Sequence, residues 1–295
     1  MRVSDLVAAS GEDRAATPER PLGAMLVGAG RLRPEDIDAV LRLQRRKRLR
    51  FGDAARKLGL VTQADVELAL ALQFDHPCLQ PGESAVSEDV IAAYEPFSPQ
   101  VEALRALRAE LMLRWLDQEP GRKALAIVSA ARSEGRSFIA ANLAVVFAQL
   151  GQRTLLVDAD LRNPCQHRLF GLDNRIGLSA VLCGRAAARE ALQPVASMPQ
   201  LSVLPAGAVP PSPQDLLARP AFAELLFQLG AQCELMLLDC PPVGSTSDAQ
   251  TIAVRAGAAL IVVRKNASRV WRVQGISDRV VQAKCTIVGA VLNDF

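Results

Sequence analysis

Three aspartates are the residues of this sequence whose type and spacing are best suited to chemistry. Asp158 and Asp160 follow the apolar run that begins at Thr154, and Asp239 ends a later apolar run that begins at Leu235. Because parallel strands end at the same edge of a sheet, we expect the three carboxylates to meet there. Carboxylate oxygens and water are the ligands that Mg²⁺ prefers, so the pattern predicts a nucleotide–metal site.

The loop from Ala130 to Ser137 lies where a phosphate-binding loop would lie, between an apolar run and a helical stretch. The common pattern is GxxxxGK[ST], in which backbone N–H groups and a helix N-terminus hold phosphate oxygens. Gly135 and Ser137 keep this pattern, whereas Ala130 replaces the first glycine and Arg136 replaces the lysine. Arginine keeps the positive charge on a wider, forked group, so we expect nucleotide binding to survive the change and turnover to be in question.

Phosphoryl transfer depends on positioning the reacting groups and on neutralising the charge of the phosphates. These two requirements suggest a role for each polar residue of the loop and for the three aspartates. We expect Arg136 to contact the β- and γ-phosphates, and Asp158 to orient or deprotonate the nucleophile. The predicted site residues are: catalytic, Arg136, Asp158 and Asp160; cofactor-binding, Ser133, Glu134, Gly135, Arg136, Ser137 and Phe138; metal-binding, Ser137, Asp160 and Asp239.

The elements that must position these residues form an α/β pattern. Apolar runs separated by helical-length stretches predict strands at Ala124 to Ser129, Thr154 to Val157, Leu201 to Leu204, Leu235 to Leu238, Ala258 to Val263 and Ile287 to Leu292. Continuous apolar character means that both faces of the sheet are covered. The fold class is therefore predicted as a P-loop, doubly wound, mostly parallel sheet, preceded by a small and mainly helical N-terminal domain.

A tandem repeat makes up this N-terminal domain. Residues 21–44 align without gaps on residues 50–73, with Gly23 on Gly52 and Gln44 on Gln73. Each copy has the periodicity of two short helices joined by a glycine turn, so two helical hairpins should pack as a pseudo-symmetric pair. The predicted organisation is: a flexible tail, 1–20; the repeat domain, 21–80; a linker, 81–100; and the nucleotide-binding domain, 101–295.

Composition narrows the functional classes. Half of the 295 residues are apolar, which excludes a wholly disordered chain. The formal net charge of +3 gives no reason to expect nucleic acid as a partner. The apolar runs are too short to span a bilayer, so we expect a cytoplasmic protein whose membrane association needs a partner.

The second part of the sequence resembles a known family. The strings that carry the resemblance are EALRALRAEL from Glu102, SEGRS from Ser133, LLVDADLRNPCQHRLFGLDNRIGLSAVL from Leu155, LPAGAVPPSPQDLL from Leu204 and LLDCPP from Leu237. Together they resemble the bacterial tyrosine kinases of capsule and exopolysaccharide systems, in particular the EpsG-like chain-length determinant type, which are relatives of the MinD/ParA ATPases. The resemblance covers about residues 95 to 295.

This resemblance implies more than the spacing does. It implies ATP and Mg²⁺ as cofactors and ring-like self-association through Glu102, Arg105 and Arg108. It also implies a membrane-spanning chain-length co-polymerase as partner, so that the chain would lie peripherally at the inner membrane. The residues to which the ATP and Mg²⁺ site transfers are Gly135, Arg136, Ser137, Asp158, Asp160 and Asp239.

One departure from the family concerns tyrosine. The family usually ends in a tyrosine-rich tail that neighbouring subunits phosphorylate, whereas this sequence ends in AVLNDF and has one tyrosine, Tyr94. We therefore expect either phosphorylation of another substrate or an ATP-dependent assembly switch.

The tandem repeat resembles the N-terminal domain of type II secretion and pilus ATPases, the MshE type, whose repeated units bind cyclic di-GMP. Arginines and glycine-exposed backbone suit a dianionic dinucleotide. The alternative is a docking module in which the glycines are helix turns and the leucines form a core. The residues that the resemblance implies for cyclic di-GMP are Arg20, Leu22, Gly23, Gly30, Gln44, Arg50, Gly52, Gly59 and Gln73.

Two other functions compete with the kinase hypothesis. A MinD/ParA-like positioning ATPase uses a signature lysine early in its loop, and here Ala131 or Arg132 would have to serve. A non-hydrolysing, nucleotide-gated scaffold is favoured by Ala130 and Arg136 and opposed by the three aspartates.

Overall fold

The chain divides into two compact units, Met1–His76 and Pro77–Phe295. The predicted tail, 1–20, and with it Arg20, lie outside the described residues. Among the residues that are described, no helix is long and apolar enough to cross a membrane. The computed structural model describes residues 21–73, 78–118, 121, 123–244 and 247–295.

The first unit, called here the helical unit, contains the two helical hairpins that the repeat predicts. Its helices are α1 (Leu22–Gly28), α2 (Ile37–Lys47), α3 (Phe51–Lys57) and α4 (Gln63–Gln73). A 3-10 turn at Pro34–Asp36 precedes α2 and occupies the place that the first turn of α4 has in the second copy. Helix α1 packs against α4, and α2 packs against α3, so each hairpin pairs with the other.

Glycines of the repeat have two separate structural roles. Gly30 and Gly59 have φ angles of 67° and 70°, so each closes the turn between two helices in the left-handed conformation that glycine tolerates. Gly23 and Gly52 are buried at helix contacts. A Cβ added at Gly52 would lie 2.8 Å from a Val66 methyl carbon, so a larger residue would have to displace Val66.

The second unit, called here the P-loop unit, contains one sheet. In the part of the chain that the structure describes, the sheet has seven strands in the order β3-β4-β2-β5-β1-β6-β7, parallel except for β3. This confirms the predicted doubly wound, mostly parallel fold. The strands are β1 (Ala124–Ser129), β2 (Thr154–Asp158), β3 (Gln193–Pro194), β4 (Leu201–Leu204), β5 (Leu235–Asp239), β6 (Ala258–Arg264) and β7 (Thr286–Asn293).

Helices cover both faces of this sheet, which explains the continuous apolar runs. Leu125 and Ile127 of β1 point into one core with α7, whereas Ala126 and Val128 point into the other core with α12 and α13. A π-helical turn at Met112–Leu116 follows α6. The helices are α5 (Ile91–Tyr94), α6 (Pro99–Leu111), α7 (Arg136–Gln149), α8 (Gln166–Leu169), α9 (Leu178–Leu182), α10 (Ala188–Ala191), α11 (Pro213–Ala218), α12 (Pro220–Gly230), α13 (Asp248–Ala256) and α14 (Val270–Gln282).

The segment 81–100, predicted as a linker, belongs to the P-loop unit in the structure. Val86, Val90 and Ala92 are buried in the same core as α7. Asn142 of α7 accepts a hydrogen bond from the Ala92 N–H at 2.8 Å and donates to the Asp89 carbonyl at 3.2 Å. The segment contains many turn residues, but its few apolar side chains are enough to pack it against α7.

Candidate active site at the carboxyl edge of the sheet

Strand register brings the predicted aspartates together. In the β2–β5 pair, Asp158 lies directly beside Asp239, and Asp160 follows two residues after Asp158. All three carboxylates are buried, with residue exposures of 2% or less. The sequence prediction that they converge on one edge therefore matches the geometry.

The phosphate loop enters α7 through two residues with left-handed backbone. Gly135 has a φ of 88° and Ser133 a φ of 61°. Helix α7 begins at Arg136, and no side chain caps its N-terminus. The N–H groups of a first helical turn have no acceptor within the helix, so this end can donate to an anion.

Arg136 does not extend away from the protein, as a phosphate contact would require. Its Nε donates to Asp239 Oδ1 at 3.0 Å, and one terminal nitrogen donates to Asp160 Oδ2 at 3.2 Å. The other terminal nitrogen donates to Ser129 Oγ at 3.1 Å. Burial alone would lower the pKa of Arg136, but the two carboxylates outweigh it and raise that pKa.

The guanidinium therefore lies between the two carboxylates that were expected to hold a metal. Within the described residues, no group of three or more histidine, cysteine, aspartate or glutamate side chains is arranged to hold a metal ion. Ser137, the third predicted metal ligand, is half-buried in the first turn of α7. In this state the fork of Arg136 neutralises Asp160 and Asp239.

Asp158 has a more unusual environment. Its Oδ2 accepts backbone N–H bonds from Cys165 and Gln166, both at 2.9 Å. Its Oδ1 is buried and has no hydrogen-bond partner among the described residues. Burial, followed by the charge of Asp239, raises the pKa of Asp158 well above its usual value, although the two N–H bonds oppose the shift.

Gln166 is a site residue that the sequence reasoning missed. Its side-chain Nε2 donates to Asp239 Oδ2 at 2.7 Å and to the Ser137 carbonyl at 3.1 Å. It thus links the loop helix to an aspartate of another strand. A glutamine at the start of a four-residue helix carries no local signal for such a role. Its neighbour Cys165 is half-buried, and burial with the charge of Asp239 raises the pKa of this thiol to about 12.

Residues from β6, from β7 and from the turn after β6 hold the outer side of the loop. The Glu134 carboxylate accepts hydrogen bonds from the Ala131 N–H at 2.8 Å and from the Ser268 hydroxyl. Asn293 donates from its amide to the Glu134 carbonyl at 3.3 Å, and Arg264 donates to the Ser133 carbonyl at 3.2 Å. The predicted cofactor contact Glu134 therefore directs its side chain to the protein's own loop.

Two other predicted contacts lie close to this region. Phe138 is half-buried and packs against the core beneath α7. Gly135 faces Asn293, since an added Cβ would lie 1.9 Å from the amide nitrogen of that side chain. Both the left-handed φ and this contact require glycine at position 135.

The three residues expected to mediate self-association lie on α6. Glu102 and Arg105 form an ion pair one helical turn apart. Arg108 is partly buried and donates to the Val146 carbonyl of α7 at 2.6 Å. Burial, with the nearby charge of Arg105, lowers the pKa of Arg108. Arg108 therefore already binds within its own chain, whereas Glu102 remains exposed.

In the helical unit, the residues proposed for cyclic di-GMP fall into two groups. Arg50, Gly30 and Gly59 are exposed. Gly23 and Gly52 are buried against neighbouring side chains, so packing accounts for them without a ligand. The others, Leu22, Gln44 and Gln73, are half-buried.

Comparison with known proteins finds relatives of the P-loop unit. The family model of the ParA type, described as NUBPL iron-transfer P-loop NTPase, matches residues 121–293. Tyrosine-protein kinase YwqD of Bacillus subtilis is 34% identical over 210 residues, which are 71% of this chain and 87% of YwqD. Tyrosine-protein kinase etk of Escherichia coli is 34% identical over 203 residues, which are 69% of this chain but 28% of etk.

Solved structures agree with these sequence matches. The chimerical protein CapA2B2 has a TM-score of 0.66 at 32% identity, covering 77% of this chain and 98% of that one. The septum site-determining protein MinD of Pyrococcus horikoshii, solved with Mg-ADP, has a TM-score of 0.52 at 26% identity, covering 58% of this chain and 70% of that one.

Proposed function

Because this chain belongs to the bacterial tyrosine-protein kinases, a branch of the ParA/MinD-like P-loop NTPases, we propose that it binds ATP with Mg²⁺ and transfers a phosphoryl group to tyrosine. The observation that carries the proposal is the convergence of Asp158, Asp160, Asp239 and Arg136 at the uncapped start of α7. Phosphoryl transfer needs this combination of anion-binding N–H groups and buried carboxylates.

The residues at this edge fit the two groups that the family implies. The first-turn N–H groups of α7 suit phosphate oxygens, and Asp158 Oδ1 is a buried acceptor with no partner in the described structure. Ser137, Asp160 and Asp239 would hold Mg²⁺, which when bound neutralises charge on the phosphates. Arg136 has to release at least one carboxylate for this, and the phosphates offer it a replacement anion.

Asp158 is the proposed base. A carboxyl group whose pKa is raised by burial takes up a proton more readily than an ordinary aspartate does. It would accept the proton that the acceptor hydroxyl loses as the phosphoryl group transfers. The N–H groups of Cys165 and Gln166 hold it in place, and Gln166 fixes Asp239 from the same helix.

The acceptor is proposed to lie on another protein chain. The one tyrosine of this sequence, Tyr94, donates its hydroxyl to the Val86 carbonyl. Burial raises the pKa of Tyr94 further above its usual value, which disfavours its ionisation. We place the activity in control of exopolysaccharide chain length and export, with self-association through Glu102, Arg105 and Arg108. The proposed partner is a membrane-spanning chain-length co-polymerase, which would bring the chain to the inner membrane.

The test uses γ-radiolabelled ATP, Mg²⁺ and a tyrosine-containing copolymer, with Asp158→Asn as the inactive control. Label on tyrosine that is lost in the control is the expected result. ATP hydrolysis with no label on tyrosine would instead favour the MinD-like assembly ATPase. ATP binding without turnover would favour the nucleotide-gated scaffold, for which the ion pairs of Arg136 are the supporting observation.

For the helical unit, the proposal is regulation through cyclic di-GMP. Support comes from the exposed Arg50 and from the exposed, equivalent turns at Gly30 and Gly59. The test is titration of the full chain with cyclic di-GMP, beside an Arg50→Ala variant. Absence of saturable binding at micromolar ligand would leave the docking-module hypothesis.

A further inference from the structure

A cavity of about 470 Å³ borders the phosphate loop on the side of α14. Three segments line it: Ala130–Arg132 of the loop, Pro242–Gly244 beyond β5, and the face of α14 that carries Trp271, Gly275 and Arg279. The phosphate site uses the start of α7 and the aspartates, so this cavity is adjacent to that site and is lined by different side chains.

The charge of this cavity is positive and unbalanced. Arg132, Arg272 and Arg279 line it and are exposed, and no acidic residue is among its lining. Other arginines of this region, such as Arg162, are ion-paired. Within the described ranges, none of the three lining arginines has a carboxylate within ion-pair distance. Clustered like charges repel one another, so this surface is complementary to an anionic ligand.

The walls of the cavity also suit an aromatic side chain. Trp271 is 62% exposed, which is unusual for so large an apolar residue, and the Arg272 guanidinium lies 5.2 Å from its ring centroid. Val243 and Ile276, both almost fully buried, contribute to the apolar part of the lining. Tryptophan and arginine both stack on aromatic rings, which gives the site contacts for a tyrosine as well as for carboxylates.

We propose that this cavity binds an acidic peptide segment of another protein chain, with the acceptor tyrosine within it. The role of that tyrosine as phosphoryl acceptor rests on the proposed kinase function, whereas binding of the acidic segment does not. A cavity of this volume accepts a side chain with its neighbours, whereas a flat anionic bilayer would contact only the rim.

The experiment measures binding to the full chain without nucleotide. The probe is a fluorescein-labelled peptide with one tyrosine flanked by glutamates, read by anisotropy, beside the same peptide with glutamines. The test variant is Arg272→Glu/Arg279→Glu. Its matched control is Arg185→Glu/Arg189→Glu, an equal charge change at exposed positions near α10, which leads to the opposite edge strand.

A second variant, Gly275→Leu, tests the space inside the cavity without changing its charge. Gly275 lies on α14 in the lining of the cavity, and an added Cβ there would meet nothing within 4 Å, so Gly275→Leu is the variant chosen to place a side chain in the cavity. We expect saturable binding of the glutamate peptide, weakened about tenfold or more by the arginine double variant. We expect a severalfold loss with Gly275→Leu and little change in the control.

Several outcomes would overturn the inference. They are equal loss in both double variants, equal affinity for the glutamine peptide, and no saturable binding by the wild type. Retention of binding in Gly275→Leu, or binding of anionic lipid vesicles in place of the peptide, would do the same. Because nucleotide is absent, a chain that never turns over ATP can still pass this test. Conversely, the chain could transfer label to tyrosine and yet bind the glutamate and glutamine peptides equally well. That result would overturn the inference about the cavity and leave the proposed kinase function standing.

Discussion

The carboxyl edge of the sheet and the helical unit distribute charge and glycine in opposite ways. At the edge, Asp158 and Arg136 are buried, and one oxygen of Asp158 has no hydrogen-bond partner in the described structure. In the helical unit, the basic residues Arg45, Arg46 and Lys47 are exposed, and glycines such as Gly52 are buried.

The buried charges at the sheet edge lower the stability of the fold, whereas the buried glycines of the helical unit raise it. Buried charge with incomplete hydrogen bonding destabilises a fold, so its presence at the sheet edge points to chemistry. Buried glycine at a helix contact allows close packing, so its presence in the repeat is explained by the core alone. The same sequence signal, a glycine in a motif, therefore has different physical causes in the two units.

The largest expected effect is that of Asp158→Asn. Loss of the base should lower kcat about 10²–10⁴-fold, measured with γ-radiolabelled ATP. The same change should stabilise the chain by about 1 kcal/mol in urea unfolding, because it removes a carboxyl group whose ionised form is disfavoured by burial. Loss of activity together with loss of stability would contradict this view of Asp158.

The stabilisation should depend on pH. The pKa of Asp158 is raised in the folded chain, so folding favours its neutral form. The free energy of unfolding is therefore highest below the ordinary pKa of 3.8, where Asp158 is neutral in both states, and it falls as the pH rises through the folded pKa. The advantage of the asparagine variant should therefore grow with rising pH. A stability difference that stays constant with pH would show that Asp158 titrates normally.

Arg136→Ala should have the next largest effect. It leaves Asp160 and Asp239 buried without their cation, which should cost about 3–5 kcal/mol in urea unfolding. Arg136→Lys is the matched control, because it keeps the charge and loses only the fork, and we expect it to lose clearly less stability. Equal loss in both variants would mean that the fork, and not the charge, matters.

In the helical unit, Gly52→Ala should cost about 1–3 kcal/mol by overpacking against Val66. Gly28→Ala is the control, because an added Cβ there meets nothing within 4 Å. Hydrogen exchange of the amides in α1 to α4 measures the effect locally. Nucleotide binding by the P-loop unit should not change, and equal exchange in the two variants would rule out the packing role of Gly52.

The smallest effect concerns the start of α4. Thr62 and Asp65 form a reciprocal pair, with the Asp65 N–H donating to Thr62 Oγ1 at 3.2 Å and the Thr62 N–H donating to Asp65 Oδ2 at 2.8 Å. Thr62→Ala should cost about 1 kcal/mol, again read by hydrogen exchange. The equivalent residue of the first copy, Arg33, makes no side-chain cap, so Arg33→Ala should change little.

The sheet could be predicted from the sequence because long apolar runs mark buried strands. Strand β4 was predicted at its observed bounds, whereas β3, with only Gln193 and Pro194, has no apolar run to reveal it. The turn residues of the 81–100 segment outnumber the apolar residues that bury it, so its sequence predicts a linker. Val90 and Ala92 are fully buried, so a few small apolar side chains are enough to make such a segment part of a folded unit.

The convergence of the aspartates could be predicted from the sequence, but the hydrogen bonds that join them to other elements could not. Strand ends place Asp158 and Asp239 side by side whatever surrounds them. The direction of the Arg136 side chain and the bridge through Gln166 depend on side chains from other elements. The contact of Asn293 with the loop joins residues 159 positions apart, which no local pattern encodes.

Helix α7 has one further consequence for communication within the P-loop unit. Its fourteen residues span about 21 Å, with the phosphate loop at one end. Asn142 ties its middle to the 89–92 segment, and the Val146 carbonyl near its other end receives Arg108 of α6. Because α7 joins these contacts in one continuous helix, a shift of the phosphate loop would have to be accommodated at Asn142 and at the Val146 carbonyl, and through Arg108 at α6, the helix that carries Glu102.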